Sequence, residues 1–239
     1  YQAISFFLAE EPMRLDSLLK VLMGELDHAR VVHLFRKHDE YMPLIMPYLK
    51  AVQKADISAV NEAINEVLVD EEDAAGLRES ISTFKKFDQL DLAKRLEKHE
   101  LLEFRRIAAL LYKQNKRYTA SIDLSKSDAM FKDAIDTAAE SRQADLAEAL
   151  LRFFVDNDDK ESVTACLYTC YDLIPPDIAM ELTWRHRMID NAMPYMIQYL
   201  HDSHRKIAEL EARTAPKKGE EDEASSSAMQ AALAGVGLL

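Results

Sequence analysis

Helix-breaking residues are almost absent from most of this 239-residue chain. Proline does not occur between Pro47 and Pro175, and Gly76 is the only glycine between Gly24 and Gly219. A fold rich in β-strands needs turn residues at about every tenth position, so this scarcity counts against strands. Hydrophobic residues make up 48% of the chain, which also excludes disorder as a description of the whole. The sequence therefore predicts an all-α protein.

Apolar residues recur at helical spacing from Leu15 to about Tyr171, in units of about 10 to 15 residues with short polar segments between them. Helices this short, with such short connections, must lie antiparallel to their neighbours. About ten of them in succession favour an open stack of hairpins, an α-solenoid, over a closed bundle. We find no repeat of about 34 or 40 residues, so the familiar short-repeat families are not supported.

Polar residues predict where some of these helices begin. Asp70 precedes the acidic run Glu71-Glu72-Asp73, which suits the positive end of a helix dipole, so we expect a helix to start there. Ser127-Asp128 precedes a helix around Phe131. The sequence Pro175-Pro176-Asp177 is expected to end one helix and open the next.

The residues that usually carry chemistry form no catalytic or metal-binding pattern. There is no glycine-rich phosphate loop and no His-Glu-x-x-His motif. Cys166 and Cys170 are not spaced as a Cys-x-x-Cys redox pair, and they fit buried thiols in a reducing compartment. His201 and His204 could share a metal ion, but no third ligand is evident. We therefore predict neither an enzyme nor a bound metal or cofactor.

Charge and polarity restrict the partners and predict a tail. The formal net charge of −12 argues against a surface for nucleic acid or for anionic membranes. The longest weakly polar run, Ala228 to Leu239, has 12 residues, whereas a membrane span needs about 20, so we predict a soluble protein. From Ala212 onward, proline, glycine, a charge run and a serine run predict disorder. The chain opens at Tyr1 within a helical pattern, without Met or a signal peptide, so we interpret it as part of a longer protein.

The most informative segment lies at the end of the periodic region. Seven of its residues are separated alternately by four and three positions, the heptad period of a narrow seam between supercoiled helices. They are Ile189, Met193, Met196, Leu200, Ser203, Ile207 and Leu210. We expect the helix to start at Asp190 or Asn191, with Pro194 in its first turn. Two interpretations are open: the seam packs against copies of itself, or the helix folds back onto the core of its own chain. Its position as the last predicted ordered element favours self-association.

Three strings in the chain closely resemble the clathrin heavy chain. They are RLEKHELLEFRRIAA (95–109), ACLYTCYDLI (165–174) and AMPYMIQ (192–198). The resemblance runs from Tyr1 to about Ala212, nearly 90% of the chain. It rests on long matched strings and is therefore specific.

The resemblance implies the hub part of the heavy chain, close to the vertex at which three legs meet. Residues 1–19 would then end one heavy-chain repeat, and residues 20–163 would form the last repeat, in the proximal leg. A trimerisation region would follow in residues 164–213, with a tripod helix at about 190–213, and residues 214–239 would be a disordered tail. The expected fold is an all-α, right-handed α-solenoid of short antiparallel helix hairpins that ends in a longer, coiled-coil-like tripod helix.

The resemblance also implies a structural scaffold of coated pits and vesicles in endocytosis and intracellular protein transport. Residues expected to take part in trimerisation are Cys170, Trp184, His186, Ile189, Met193, Met196, Leu200, Ile207 and Leu210. A clathrin light chain would bind within Tyr1 to Thr119, and neighbouring heavy-chain legs would pack against this one in the lattice. The setting would be the cytoplasmic face of the membrane, reached indirectly through adaptors.

One departure concerns an uncoating chaperone. Animal members of the family carry the tail motif Gln-Leu-Met-Leu-Thr, whereas the nearest segment here is Ala228-Met229-Gln230-Ala231-Ala232-Leu233. A chaperone could still hold the apolar stretch from Leu233 to Leu239. The alternative to the whole interpretation is a monomeric helical-repeat adaptor that binds peptides in its groove.

Overall fold

The computed structural model describes residues 1–214, which are helical with short connections and contain no strand. The chain divides into two compact units, unit 1 from Tyr1 to Ser141 and unit 2 from Arg142 onward. This division falls inside the predicted repeat of residues 20–163, whose boundaries stay predictions. The predicted tail of 214–239 lies outside the described residues except for Thr214, which is the last residue of a helix.

Unit 1 contains ten α-helices. They are α1 (Gln2–Glu10), α2 (Leu15–Leu22), α3 (His28–Phe35), α4 (Met46–Val52), α5 (Ser58–Asp70), α6 (Ala74–Thr83), α7 (Gln89–Leu96), α8 (Leu102–Gln114), α9 (Tyr118–Ser127) and α10 (Phe131–Ser141). Short 3₁₀ helices at Pro12–Arg14, Asp39–Tyr41, Pro43–Ile45 and Gln53–Ala55 join some of the earlier ones. From α7 to α10 each helix packs on the next, and a continuous apolar core runs from Ile4 to Tyr112. Unit 1 is therefore a stack of short helix hairpins, as the sequence predicts.

Polar contacts join helix α8 to its neighbours in unit 1. The guanidinium of Arg105 in α8 donates from Nε to both carboxylate oxygens of Asp128 at 2.9 Å. Its Nη1 donates to the main-chain oxygens of His99 at 2.8 Å and Glu100 at 2.7 Å. The Tyr112 hydroxyl donates to Glu97 at 2.6 Å. These bonds hold α8 against the C-terminal ends of α7 and α9.

Several helices end in the same backbone motif without using glycine. After α5, α8, α9, α11 and α13, the second residue past the helix has a left-handed backbone conformation; these residues are Glu72, Lys116, Ala129, Asp158 and Arg187. After α8, for example, the N–H of Lys116 bonds to Lys113 and that of Arg117 bonds to Tyr112, which is a Schellman motif. The chain can therefore stop its helices although it has almost no glycine.

One predicted helix start is wrong. Asp70 is the last residue of α5, and the chain turns through Glu72 before α6 begins at Ala74. The residue that caps α6 is Asp73, whose Oδ1 accepts from the N–H of Gly76 at 2.9 Å. The acidic run thus lies between α5 and α6, and only its last residue, Asp73, caps the N-terminus of α6.

Unit 2 contains α11 (Ala144–Asp156), α12 (Lys160–Thr169), α13 (Pro176–Arg185) and α14 (Ile189–Thr214). Helix α11 packs on α12 and α13, and α14 packs on α12 and α13. Pro176 opens α13, as the double proline predicts. At 26 residues α14 is twice as long as the 13-residue helices α5, α8 and α11, so the predicted longer final helix is confirmed.

Candidate self-association surface

The first half of α14 is anchored to its own unit by one side of the helix. Ala192 and Tyr195 are buried there, and the Tyr195 hydroxyl donates to the main-chain oxygen of Ile174 at 2.7 Å. The ring of Tyr195 also meets that of Tyr171 edge to face, with 5.3 Å between the ring centres. Burial, with added repulsion from the neighbouring tyrosines, raises the pKa of Tyr195 to about 12, so its hydroxyl stays protonated and can donate.

Asp202, in the middle of α14, is hydrogen-bonded to another part of unit 2. The Tyr171 hydroxyl donates to Asp202 Oδ2 at 2.9 Å, and Gln198 Nε2 donates to the same oxygen at 3.1 Å. Arg205 lies 3.1 Å from the other carboxylate oxygen. Hydrogen bonds from Gln198 and Tyr171, with the charge of Arg205, lower the pKa of Asp202. From residue 204 to residue 214 every residue is exposed, so residues 1–214 do not cover this part of α14.

The predicted position of Pro194 is wrong, because the helix starts earlier than expected. Helix α14 begins at Ile189, which makes Pro194 its sixth residue rather than a member of the first turn. Proline has no N–H, so the main-chain oxygen of Asp190, four residues earlier, has no helical donor. Asp190 is exposed, and water can supply the missing hydrogen bond there.

The predicted seam lies on a face of α14 next to the anchored one. Ile189, Met196 and Ser203 are half-buried. The exposed fractions of the others are 44% for Met193, 55% for Leu200, 52% for Ile207 and 56% for Leu210. Within residues 1–214, the second half of this seam is not covered by the chain's own core.

One exposed apolar residue of this surface was not predicted. Ile197 is 61% exposed, four residues after Met193 and three before Leu200. That spacing was visible in the sequence and would have extended the seam into a wider apolar face. We call Met193, Met196, Ile197, Leu200, Ile207 and Leu210 the α14 apolar face.

The three supporting residues proposed from the resemblance lie in different settings. Trp184, on α13, is 72% exposed. His186 follows α13, and its Nε2 lies 3.9 Å from Asp156. Cys170 is buried at the end of α12, where a hydrogen bond with it and burial raise the pKa of the Cys166 thiol. Trp184 and His186 therefore reach the surface, whereas Cys170 can act only through the packing beneath it.

An apolar groove of about 370 Å³ lies between α12 and α14. It is lined by Thr164, Leu167, Tyr168, Tyr171, Asn191, Pro194, Tyr195 and Gln198. None of these side chains is charged, and Tyr168 is 86% exposed. The groove adds a second uncharged surface to the same part of unit 2.

The described residues offer little that would suit other kinds of site. Among residues 1–214, no group of three or more His, Cys, Asp or Glu side chains is placed to hold a metal ion. No helix in this part of the chain has the length and apolar character of a membrane span. The region predicted to bind a light chain, Tyr1 to Thr119, lies within unit 1.

A stack of short helix hairpins, followed by a long helix with an exposed heptad-spaced apolar face, defines a helical-repeat scaffold. A family model described as "Clathrin: Region in Clathrin and VPS" matches residues 19–162. The chain therefore belongs to the clathrin and VPS repeat family, which confirms the family predicted from the sequence.

Its relatives include full-length clathrin heavy chains. The chain is 49% identical over 222 residues to the clathrin heavy chain of Drosophila melanogaster. This alignment covers 93% of the chain and 13% of the relative. It is 46% identical over 224 residues to the clathrin heavy chain of Dictyostelium discoideum, and this alignment covers 93% of the chain and 13% of the relative. It is also 46% identical over 221 residues to clathrin heavy chain 2 of Homo sapiens, and this alignment covers 92% of the chain and 13% of the relative. The chain thus spans about 13% of the length of these relatives.

Proposed function

We propose that this chain is the hub segment of a coat-forming heavy chain, in which three copies join through α14 into a three-legged scaffold. The observation that carries the proposal is the α14 apolar face, because four large apolar side chains at heptad spacing stay about half-exposed. Exposed apolar faces of this kind usually mark surfaces for protein association. The similarity to clathrin heavy chains supports a coat role for the assembled protein.

The division of α14 supports a joint built from several chains. The helix is about 39 Å long at about 1.5 Å per residue. Its first half is bonded to unit 2 through Tyr195 and Asp202, while residues 204–214 are exposed in the part of the chain that the structure describes. A free helical end with an apolar face can pack against equivalent ends without disturbing the fold of any one chain. Trp184 and His186 would add contacts at the base of this joint, and buried Cys170 would support them from below.

The stack of hairpins supplies the mechanical part of the proposal. Each hairpin buries its apolar face mainly against its neighbours in sequence, so a leg built this way resists bending but yields slightly at each hairpin contact. A threefold joint then multiplies weak contacts between legs, which lets a lattice be stable while each contact stays reversible. On this proposal residues 1–19 end one repeat, 20–163 form the last repeat and 164–213 form the trimerisation region.

The remaining partners are proposed from the family. A clathrin light chain would bind within Tyr1 to Thr119, and neighbouring legs would pack along the stack. An uncoating chaperone would hold the apolar segment from Leu233 to Leu239. The scaffold would act without catalysis on the cytoplasmic face of coated pits and vesicles, where adaptors link it to the membrane.

Molar mass tests the joint directly. We expect light scattering on the chain at micromolar concentration to give three times 27.3 kDa, about 82 kDa. A second candidate function, a monomeric adaptor, is favoured by the uncharged groove between α12 and α14, which could take an apolar peptide side chain. If the measured mass equals that of one chain at all concentrations, the trimer is refuted and the monomeric adaptor becomes the better explanation. Adding a light-chain helix should raise the mass of the trimer by the mass of three such helices, one bound to each chain.

A further inference from the structure

The groove between α12 and α14 borders the α14 apolar face, although the proposed three-legged scaffold does not use it. Successive residues of an α-helix lie about 100° apart around its axis. Pro194, in the wall of the groove, therefore lies about 60° from exposed Ile197 on one side and about 40° from Gln198 on the other. Apolar surface thus continues from the seam, across Pro194, into the groove.

Helices α12 and α13 flank the seam on opposite sides. The side of α14 that faces α12 lines the groove, and there the Asn191 side chain donates to Thr164 Oγ1 at 3.2 Å. Going on around the helix, the covered side continues through buried Tyr195 and Ala192 to half-buried Met196. Helix α13 also packs on α14, and it covers this further part. The seam therefore lies between α13 on one side and the groove on the other.

The exposed side of α13 carries two large apolar residues. Met180 is 49% exposed and Trp184 is 72% exposed, and since they are four residues apart they lie on the same side of the helix. Only residues 186–188 join α13 to α14, so the two helices run in opposite directions and the end of α13 lies beside the start of α14. Both residues are therefore level with the part of α14 that lines the groove. We call Met180 and Trp184 the α13 ridge.

A threefold joint brings two different surfaces of neighbouring chains together. In a ring, each chain contacts one neighbour through one surface and the other neighbour through a second surface. Three copies packed through the seam of α14 would place the α13 side of one chain against the groove side of the next, at the same level along the axis. Residues 1–214 do not cover the α13 ridge, and none of the groove or ridge side chains is charged. Their contact therefore buries apolar surface without desolvating an ion.

We propose that the α13 ridge of one chain packs into the groove between α12 and α14 of the next chain, three times around the joint. This inference rests on the proposed trimer and adds a contact outside the seam. Trp184 fills the groove beside Tyr168, and Met180 extends the same contact. The groove also offers the amide oxygens of Asn191 and Gln198 as acceptors for the indole N–H.

Trp184 is the only tryptophan of the chain, so its fluorescence reports this contact in the unaltered protein. Emission spectra and acrylamide quenching are measured over a dilution series, with light scattering on the same samples. We expect the trimer to emit at shorter wavelength and to be quenched less than the monomer, because the indole leaves water on association. A trimer whose Trp184 is quenched as strongly as in the monomer would overturn this proposal and leave the joint intact. A mass of one chain at every concentration would instead refute the proposed trimer itself.

Paired variants test whether the two surfaces contact each other. Trp184→Ser removes most of the ridge, and Tyr168→Asp places a charge in the wall of the groove. Both side chains are exposed in the single chain, so neither change disturbs its core. We expect each variant to raise the half-dissociation concentration of the trimer at least about tenfold, and the double variant to raise it no further than the stronger single one. Losses that multiply in the double variant would show that the surfaces act independently, and the pairing would be wrong.

Thr169→Asp is the matched control for Tyr168→Asp. Thr169 is the next residue of α12; it is exposed and does not line the groove. Its replacement adds the same charge to a chain of net charge −12, and we expect it to change the half-dissociation concentration less than about twofold. An equal effect of the two aspartates would mean that general repulsion weakens the trimer, and it would contradict a defined contact at the groove. Circular dichroism should show the same helix content for all variants.

Discussion

Replacing Leu200 and Ile207 together by aspartate tests whether the α14 apolar face holds copies of the chain together. Both side chains are about half-exposed in the single chain, so neither replacement creates a cavity in its core. A matched control replaces His201 and Ala208, each one residue further along the same helix, by aspartate. The control adds the same two carboxylates to α14 but rotates them about 100° away from the seam.

The expected size of the effect follows from the exposed area. Full burial of a leucine or isoleucine side chain contributes about 1.5–3 kcal/mol, and about half of that remains to be gained on association. Six such side chains in three chains then contribute about 5–9 kcal/mol to the trimer. Because two associations build a trimer, each tenfold rise in the half-dissociation concentration corresponds to about 2.8 kcal/mol. We therefore expect the double variant to raise that concentration by about 10²- to 10³-fold, before any added penalty for burying carboxylates.

Light scattering or sedimentation over a dilution series measures the half-dissociation concentration, and circular dichroism measures helix content. The Leu200→Asp, Ile207→Asp variant should dissociate with nearly constant helicity, and the control should keep the mass of the starting protein. An unchanged mass for the double variant would refute the seam. A large loss of helicity in that variant alone would show that these residues belong to the core of their own chain.

Two further predictions concern stability. Hydrogen bonds from Gln198 and Tyr171 hold the pKa of Asp202 below its ordinary value. The stability that this carboxylate provides is therefore present above the ordinary pKa and is lost as pH falls through the lowered one. We expect thermal melting temperatures to show a smaller drop between pH 5 and pH 2.5 for Tyr171→Phe than for the starting protein; identical drops would exclude this bond as a source of acid sensitivity. Urea denaturation should show that Asp73→Ala destabilises the chain by about 1 kcal/mol, while Asp70→Ala changes its stability by less than about 0.5 kcal/mol. The reverse order would mean that the helix starts at Asp70.

The helical class and the long last helix could be predicted from the sequence because they depend on local periodicity. Helix ends were less predictable, and Asp70 shows why. An acidic run is favourable at a helix N-terminus, but here the preceding helix continues through Asp70 and stops by a left-handed turn at Glu72. Such turns normally use glycine, so a residue like Glu72 gives no sign of one in the sequence.

Surfaces assembled from distant residues could not be predicted at all. In unit 1, Arg36 and Arg95 lie 3.3 Å and 3.0 Å from Glu66, although Arg36 follows α3 and the other two residues lie on α7 and α5. Nothing in the spacing of these residues indicates that their side chains meet. The α14 apolar face was predictable because its residues share one helix, and Ile197 was missed only because a strict heptad was assumed.

The two faces of α14 explain why the seam has a heptad period in a helix that also packs on its own unit. In the first half of α14, Ala192 and Tyr195 lie on the side that packs against unit 2, and Met193 lies on the neighbouring, exposed side. The apolar residues of this half therefore belong to two different surfaces. At Asp202 the inner side becomes polar and bonds to Tyr171, after which no residue of α14 is buried. Packing against residues 1–214 therefore does not account for the apolar residues of α14 beyond that point. A rotation of α14 that buried Leu200 against its own unit would break the bond between Tyr171 and Asp202, so the anchor that ends the inner packing also keeps the seam turned outward.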